Sequence, residues 1–247
     1  MIIFDIETEP LPNLVIPELD PASIEGLATG EFDPSMVKIG NTKNPVLINE
    51  KIERARIDFE ERKANSAIII KEARERHAAE FLASSTLSPV HSQILAIGYY
   101  SPSKSIVKIH ADLPEKDLLS VFWGQFERLT QEKRSLVGVG IFGFDLPYMI
   151  RRCWIIGVPV PDNVFAHGHF HYTFVDLSVR WQMYSRWRSE PASFESLAQA
   201  FGTLGKNGKS GADFYKLWKS DRQSAVDYLT SDVKQPAIWA EKMGVLQ

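Results

Sequence analysis

The pattern of apolar and polar positions is clearest at the start of the chain, where residues 1–7 are apolar apart from Asp5 and Glu7. Such a run predicts a strand that is buried on both faces. Because side chains two residues apart point to the same side of a strand, both carboxylates project together from its end. Two carboxylates in one small volume are relieved by a raised pKa or by a hard cation such as Mg²⁺ or Mn²⁺. A solvated pair is the simpler explanation of the spacing taken alone.

A long polar region follows this first strand. Prolines and glycines punctuate it to about residue 49, which indicates a loop, whereas residues 46–88 contain neither. Residues 51–80 carry 15 charges of mixed sign, which predicts one long helix or a helical pair. We interpret residues at about 12–88 as a loop and helical segment inserted between the first and second strands. A solvated accessory element is its simplest role, and a lid, a dimer contact or an arm that guides substrate are alternatives.

Strands and helices alternate in the rest of the chain. The apolar pattern predicts strands at 93–100, 105–110, 135–141 and 172–177, and helices that begin at Pro114 and Asp145 and that cover about 178–187, 193–202, 211–219 and 221–243. With the first strand, these elements predict an α/β fold, a mixed five-stranded sheet flanked by helices. At 247 residues the chain suits one large domain, and we interpret residues 1–247 as a single domain that carries the insertion.

The overall charge changes this picture little. The formal net charge is −3, so contact with a nucleic acid has to come from a local basic face. Segment 178–222 leans that way, with Arg180, Arg186, Arg188, Lys206, Lys209, Lys216, Lys219 and Arg222 against Glu190, Glu195, Asp213 and Asp221. A solvated face explains the excess equally well.

Cellular location is constrained by two further features. The single cysteine, Cys153, lies in an apolar stretch and predicts an inert packed thiol, without an internal disulfide. No span approaches the length of a membrane helix, and Met1 leads directly into the first strand. We therefore expect a soluble cytoplasmic protein with no membrane partner.

Two further motifs carry candidate chemistry. Gly143-Phe144-Asp145-Leu146-Pro147 stands at a junction between a predicted strand and a predicted helix, where Asp145 taken alone suits an N-cap. On the last predicted helix, Tyr228 and Asp232 are four residues apart and share one face.

In this order, Asp5-x-Glu7, the motif around Asp145 and Tyr228-x-x-x-Asp232 resemble the three motifs of the DEDDy 3′–5′ exonucleases, which have a ribonuclease H-like fold. This family includes the proofreading domains of family A and family B DNA polymerases. In the histidine branch of the wider group of DEDD exonucleases, a His stands five residues before the last Asp, where this chain has Asp227. The resemblance covers about 1–10 and 90–245 and looks closest to stand-alone predicted exonucleases related to the family B polymerase exonuclease domain.

The resemblance implies a site and a reaction. Two divalent ions, Mg²⁺ or Mn²⁺, would be held by four carboxylates, with Tyr228 orienting the attacking water and with further residues contacting substrate. By carry-over, the carboxylates are Asp5, Glu7, Asp145 and Asp232, and the substrate contacts are Ile6, Gly140 and Phe144. The implied partner is a DNA 3′ end, single-stranded or frayed, which is shortened with release of nucleoside 5′-monophosphates. The alternatives are an RNA 3′ end or a catalytically silent nucleic-acid-binding module.

One departure from the family concerns Gly140. The family commonly has Asn at this position, where the amide helps to place the terminal nucleotide. Its absence leaves metal binding intact and puts the rate and the substrate preference in question.

Other side chains allow competing interpretations. His167, His169 and His171 alternate and could form a Zn²⁺ or Ni²⁺ site, although a polar loop or strand edge explains them more simply. Asp176 either contacts the pocket or ends its strand. Four tryptophans suit helix packing or, at the first two positions, the stacking of an unpaired base: Trp181, Trp187, Trp218 and Trp239.

Overall fold

The structure is a computed structural model and describes residues 1–21, 23–24, 31–166, 169–183, 190–206, 211 and 214–245. The chain forms two compact units. Unit 1 comprises Met1–Leu14 and Ala83–Gln247, and unit 2 comprises Val15–Leu82.

Unit 1 is built on a mixed five-stranded sheet. Its strands are β1 (Ile2–Pro10), β2 (Ser92–Ser101), β3 (Ile106–Ala111), β4 (Leu136–Gly138) and β7 (Phe174–Asp176), in the order β3-β2-β1-β4-β7. The central strand, β1, runs antiparallel to β2 and parallel to β4. The predicted mixed sheet is confirmed. A separate pair, β5 (Phe165–Ala166) and β6 (His169–Phe170), was not predicted, because two residues are too few to show an alternating pattern.

Helices account for the amphipathic segments of the sequence. They are α1 (Pro45–Ala64), α2 (Ser66–Ser85), α3 (Glu115–Gln131), α4 (Asp145–Ile156), α5 (Leu177–Trp181), α6 (Phe194–Phe201), α7 (Phe214–Ser220) and α8 (Arg222–Lys242). The segment predicted as one helix or two is therefore a helical pair. Helix α5 ends earlier than the predicted helix over 178–187, of which residues 184–187 lie outside the described part of the chain.

Strand β1 is buried on both faces, as its sequence predicts. Phe4 and Ile6 belong to one hydrophobic cluster with side chains of α3 and α4. Ile3 belongs to a second cluster with Val233 and Ala237 of α8. Asp5 and Glu7 have the same parity as Ile3, so they project from the face of the sheet that α8 covers.

A glycine in β2 lets α8 lie close to that face. Gly98 is paired with Asp5 in the β1–β2 ladder. A Cβ atom at position 98 would lie 2.8 Å from Cγ and 2.9 Å from Cδ1 of Leu229, which is shorter than any ordinary contact. Because glycine has no side chain, α8 packs directly beside the pair and carries its own polar residues toward Asp5.

Unit 2 contains α1 and most of α2. Asn44 is the N-cap of α1, where its side chain accepts a hydrogen bond from Val46 N at 3.0 Å, and Pro45 is the first helical residue. No residue of α1 is buried within the described structure. Among the described residues, no helix has both the length and the apolar character needed to cross a membrane.

Candidate active site

The structure brings two acidic residues of β1 together with one of α8. One carboxylate oxygen each from Asp5, Glu7 and Asp232 can be chosen so that all three lie within 4.8 Å of one another. Glu7 and Asp232 are buried, with 4% and 3% of their surfaces exposed. A strand supplies two of these carboxylates and the helix packed against it supplies the third.

Helix α8 also brings Tyr228 to this cluster. Tyr228 lies one turn before Asp232, as the sequence predicts, and only 7% of its surface is exposed. Among the described residues, its buried hydroxyl has no partner in hydrogen-bond geometry. Burial raises the pKa of Tyr228 above its ordinary value, with a further contribution from Asp232, so the phenol stays protonated at neutral pH.

Asp145 joins the site from a third element. It is the first residue of α4, and Phe144 rather than Asp145 is the N-cap, so the interpretation of Asp145 as a cap is wrong. Its Oδ1 atom instead accepts a hydrogen bond from Ile6 N at 3.4 Å. This bond ties Asp145 to β1 at the residue between Asp5 and Glu7. Asp145 lies outside the group of three carboxylates defined above.

A lysine that the motifs did not identify completes the cluster. Lys206 Nζ lies 3.0 Å from Asp232 Oδ2, an ion pair without the alignment of a hydrogen bond. The same ammonium lies 5.0 Å from the centre of the Phe194 ring and 5.5 Å from that of Tyr228. The only signal in the sequence was the basic character of segment 178–222.

Mutual repulsion and burial set the protonation of the acids. Burial raises the pKa of Asp5, Glu7 and Asp232, and neighbouring carboxylates of the cluster raise the first two further. Burial raises the pKa of Asp145 to about 7. Burial lowers the pKa of Lys206, but the carboxylates of Asp5 and Asp232 raise it more, so the group remains a cation.

Asp176 orders the turn that leads to Asp145. Its two carboxylate oxygens accept hydrogen bonds from Gly140 N and Phe142 N, each at 2.9 Å. It also caps α5, accepting from Ser178 N at 2.8 Å. Asp176 is therefore both the end of its strand and a support for the wall of the site.

A cleft of about 320 Å³ opens over these residues. Asp5, Glu7, Asp145 and Lys206 line it, and so do the three predicted substrate contacts, Ile6, Gly140 and Phe144. Gly140 has φ +71° and no heavy atom within 4 Å of an added Cβ. A second cavity of about 240 Å³ is lined by Tyr228 and Asp232, and Lys206 borders it as well. The lysine thus contacts both cavities.

The two histidines of the predicted metal site that the structure describes, His169 and His171, do not form a metal-binding group. His171 is buried and its Nδ1 lies 3.0 Å from Thr173 Oγ1 and accepts from Thr173 N at 3.2 Å. His169 is exposed on β6, and His167 lies outside the described residues. Within the described ranges, the only group of acids, histidines or cysteines close enough to share an ion is Asp5, Glu7 and Asp232.

Three of the tryptophans pack in the interior. Trp239 is fully buried, Trp218 nearly so, and Trp181 packs on Phe201 with ring centres 5.5 Å apart. Trp187, like Arg186, Arg188, Lys209 and Asp213, is outside the described part of the chain. Cys153 is buried beneath Trp123, and burial raises its pKa to about 11, which agrees with a packed thiol.

Several cations of the basic segment have partners of their own. Lys219 lies 3.6 Å from Glu9, and Arg222 pairs with Asp112 and lies over the Trp218 ring. Arg180 donates two hydrogen bonds to Met243 O. These contacts favour a structural role for much of the charge excess.

The donor set fits a divalent cation. Asp5, Glu7 and Asp232 offer carboxylate oxygens only, the ligands that Mg²⁺ and Mn²⁺ prefer. Burial raises the pKa of Asp5 and Glu7 and neighbouring carboxylates raise it further, whereas Lys206 lowers it. A bound cation would offset this repulsion.

Comparison with known proteins agrees with this geometry. A family profile described as a predicted 3′–5′ exonuclease related to the exonuclease domain of PolB matches residues 90–236. The matched segment contains Asp145, Lys206, Tyr228 and Asp232, while Asp5 and Glu7 precede it. No curated protein matches the chain.

A solved structure supports the fold. The chain is similar to the family B DNA polymerase from the hyperthermophilic archaeon Pyrobaculum calidifontis, with 19% sequence identity and a TM-score of 0.50 over 63% of the chain. The chain spans 22% of the length of that polymerase. The likeness confirms the predicted ribonuclease H-like arrangement of the mixed sheet and its helices.

Proposed function

The chain belongs to the family of predicted 3′–5′ exonucleases related to the exonuclease domain of PolB, and from this premise we propose a metal-dependent 3′–5′ exonuclease that acts on DNA. The observation that carries the proposal is the meeting of three carboxylates within 4.8 Å on two packed elements. Asp145, tied to the same strand at Ile6 N, supplies a fourth. The products would be nucleoside 5′-monophosphates released from the 3′ end.

The carboxylates have distinct places in this proposal. Asp5, Glu7 and Asp232 would hold one divalent ion, and Asp5 with Asp145 would hold a second. Two Mg²⁺ or Mn²⁺ ions would supply the Lewis acidity that activates water and compensates charge on the leaving oxygen. The protein's own part is to bring the four acids together and to keep them ionised when the ions bind.

Tyr228 would act on the attacking water, and Lys206 would act on the charge that the incoming phosphate meets. The protonated Tyr228 hydroxyl, which lies beside Asp232 and Lys206, would orient the attacking water by a hydrogen bond. The Lys206 ammonium would reduce repulsion between the acidic cluster and an incoming phosphate. Lys206 lines the cleft together with Asp145, and both Lys206 and Tyr228 line the second cavity beside Asp232.

The shape of the cleft favours an unpaired terminal nucleotide. Its volume of about 320 Å³ suits a single nucleotide rather than a duplex end, so we propose single-stranded or frayed DNA as substrate. The space beside Gly140 is open, where the family commonly has the amide side chain of Asn.

The test is a cleavage assay with a 5′-labelled single-stranded DNA oligonucleotide and Mg²⁺ or Mn²⁺, compared with the Asp5→Ala and Asp232→Ala variants. We expect a ladder that shortens from the 3′ end, and a loss of at least about a hundredfold in rate in each variant. Thermal unfolding of the same variants controls for folding.

Two other outcomes would redirect the proposal. Cleavage of an RNA oligonucleotide alone would identify an exoribonuclease. Intact DNA and RNA together with retained oligonucleotide binding would identify a catalytically silent binding module. Equal cleavage by the parent and by both folded variants would refute the assignment of the site.

A further inference from the structure

Lys206 reaches the acidic cluster from a turn between α6 and α7. A lysine side chain is long and flexible, so the position of its ammonium depends on how firmly its main chain is held. Side chains of two helices contact the main chain at Gly205 and Lys206, and these side chains do not line the proposed substrate cleft.

The first contact comes from α8. Gly205 N donates to Gln235 Oε1 at 2.8 Å, and Gln235 Nε2 donates to Gly205 O at 3.2 Å. The side-chain amide thus pairs with both polar groups of one residue, much as a neighbouring strand would. Gln235 is 7% exposed, and its amide nitrogen also donates to Ser231 Oγ at 2.9 Å.

The second contact comes from α6. Lys206 N donates to Glu195 Oε1 at 2.6 Å. Gly205 has φ +70°, and a Cβ there would lie 2.3 Å from Glu195 Oε2. The turn therefore requires glycine both for its left-handed backbone and for the close approach of Glu195.

The third observation is that one helix, α8, carries both Asp232 and side chains that contact the segment leading to Lys206. Asp232 and Gln235 are three residues apart on α8, so they share a face of one rigid helix. Farther along the same helix, Trp239 Nε1 donates to Thr203 Oγ1 at 3.1 Å. Helix α8 therefore carries Asp232 and also forms hydrogen bonds with the segment that places Lys206 beside Asp232.

We propose that Gln235 and Glu195 are positioning residues that hold Gly205 and so direct the Lys206 ammonium at Asp232. The inference rests on the proposed nuclease function, because that function gives a reason for the position of the Lys206 ammonium beside Asp232. We call these contacts of Gln235 and Glu195 with Gly205 and Lys206 the clamp. Without the clamp, the Lys206 ammonium would spend less time near Asp232. Divalent ions would then be repelled less by the Lys206 ammonium. The substrate phosphate would be repelled more strongly by the carboxylates.

A double-mutant cycle on the full chain tests the clamp. The variants are Gln235→Leu, Lys206→Met and the two combined, and the readouts are the Kd for Mn²⁺ by calorimetry and kcat and KM on single-stranded DNA. We expect Lys206→Met to tighten Mn²⁺ binding about tenfold and Gln235→Leu to tighten it in the same direction by a smaller factor. In the Lys206→Met background, Gln235→Leu should change Kd less than about twofold.

Matched controls separate positioning from stability. Ser231→Ala removes one hydrogen bond of Gln235 but leaves both bonds to Gly205, so Kd and kcat should stay at parental values. Glu195→Gln keeps an acceptor for Lys206 N but removes a charge that acts on Asp232, whereas Glu195→Ala removes both, so the difference in Kd between these two variants isolates the hydrogen bond. The Glu195 pair decides the question if Gln235→Leu does not fold.

The outcomes are distinct. Gln235→Leu acting equally with and without Lys206, or lowering Tm without any change in Kd, would overturn the clamp. If the parent cleaves no DNA, the proposed function fails, yet the Mn²⁺ cycle still reports on the clamp. If the parent cleaves and the cycle is additive, the clamp fails alone.

Discussion

At the scale of single residues, the site depends on acids that are costly to ionise without a cation. Asp145 illustrates this cost, because burial raises its pKa from 3.8 to about 7. A carboxyl group whose pKa is higher in the folded than in the unfolded protein binds more protons when folded, between those two values. Its contribution to stability therefore falls as the pH rises from about 4 to about 7 and is constant above that range.

This sign gives a prediction for the chelated protein. We expect the free energy of unfolding in excess EDTA to fall between pH 4 and pH 7, with Asp145 contributing up to about 4 kcal/mol at about 1.4 kcal/mol per pKa unit. Asp145→Asn, which keeps an oxygen for Ile6 N, should reduce the fall, and Mn²⁺ should reduce it in the parent. Denaturant unfolding at pH 5 and pH 7.5 measures both effects. An unchanged pH dependence in Asp145→Asn would contradict the assignment.

The sequence predicted some residues of the site and missed others for physical reasons. Strand periodicity places Asp5 and Glu7 on one side, and helix periodicity places Tyr228 and Asp232 one turn apart, since both are local rules. That all four belong to one site came from the resemblance to the exonuclease motifs. Lys206 is close to Asp232 only through tertiary packing, which local patterns do not encode. The partner of Asp145 is a main-chain amide, and such a group leaves no trace in residue identity.

At the scale of elements, the spacing between β2 and α8 fixes the distance from Asp5 to Asp232. Gly98 sets that spacing, because any Cβ there would strike Leu229. The sheet itself was predicted almost completely. The β5–β6 pair and the early end of α5 were not, because short elements are decided by their neighbours rather than by their own sequence.

Gly98→Ala should therefore weaken Mn²⁺ binding at the site, although residue 98 is not one of its ligands. We expect a loss of about 1–3 kcal/mol of stability from overpacking, and weaker Mn²⁺ binding because α8 carries Asp232 away from β1. Urea unfolding and calorimetry measure the two effects. Combining Gly98→Ala with Leu229→Ala makes room for the methyl group, and the double variant should bind Mn²⁺ better than Gly98→Ala alone. Parental Mn²⁺ affinity in Gly98→Ala would show that helix spacing does not set the site.

At the scale of the whole molecule, unit 1 contains every residue of the proposed site. Its two chain segments are joined near the insertion point by hydrogen bonds within the unit. Thr8 Oγ1 donates to Thr86 O at 2.6 Å, and Leu11 N donates to His91 O at 3.0 Å. That residues 1–247 act as a single exonuclease domain remains a prediction.

Replacing Val15–Leu82 with a short Gly/Ser linker tests this organisation. Because the bonds at Thr8 and Leu11 lie within unit 1, we expect the shortened protein to fold and to bind Mn²⁺ within about twofold of the parent. Circular dichroism and calorimetry check these points, and cleavage of oligonucleotides of different lengths reports what unit 2 adds. An unfolded product would show that the insertion is part of the folding unit.

The hydrogen bond from Ile6 N to Asp145 has an evolutionary consequence. The donor is a main-chain amide, which every residue except proline provides. The side chain at position 6 can therefore change while the link between β1 and α4 persists. Because that side chain packs in the core with α3 and α4, selection can change the core beneath the cleft without altering the link between the acids of the two elements. Core packing and metal geometry are thus separately heritable at one position.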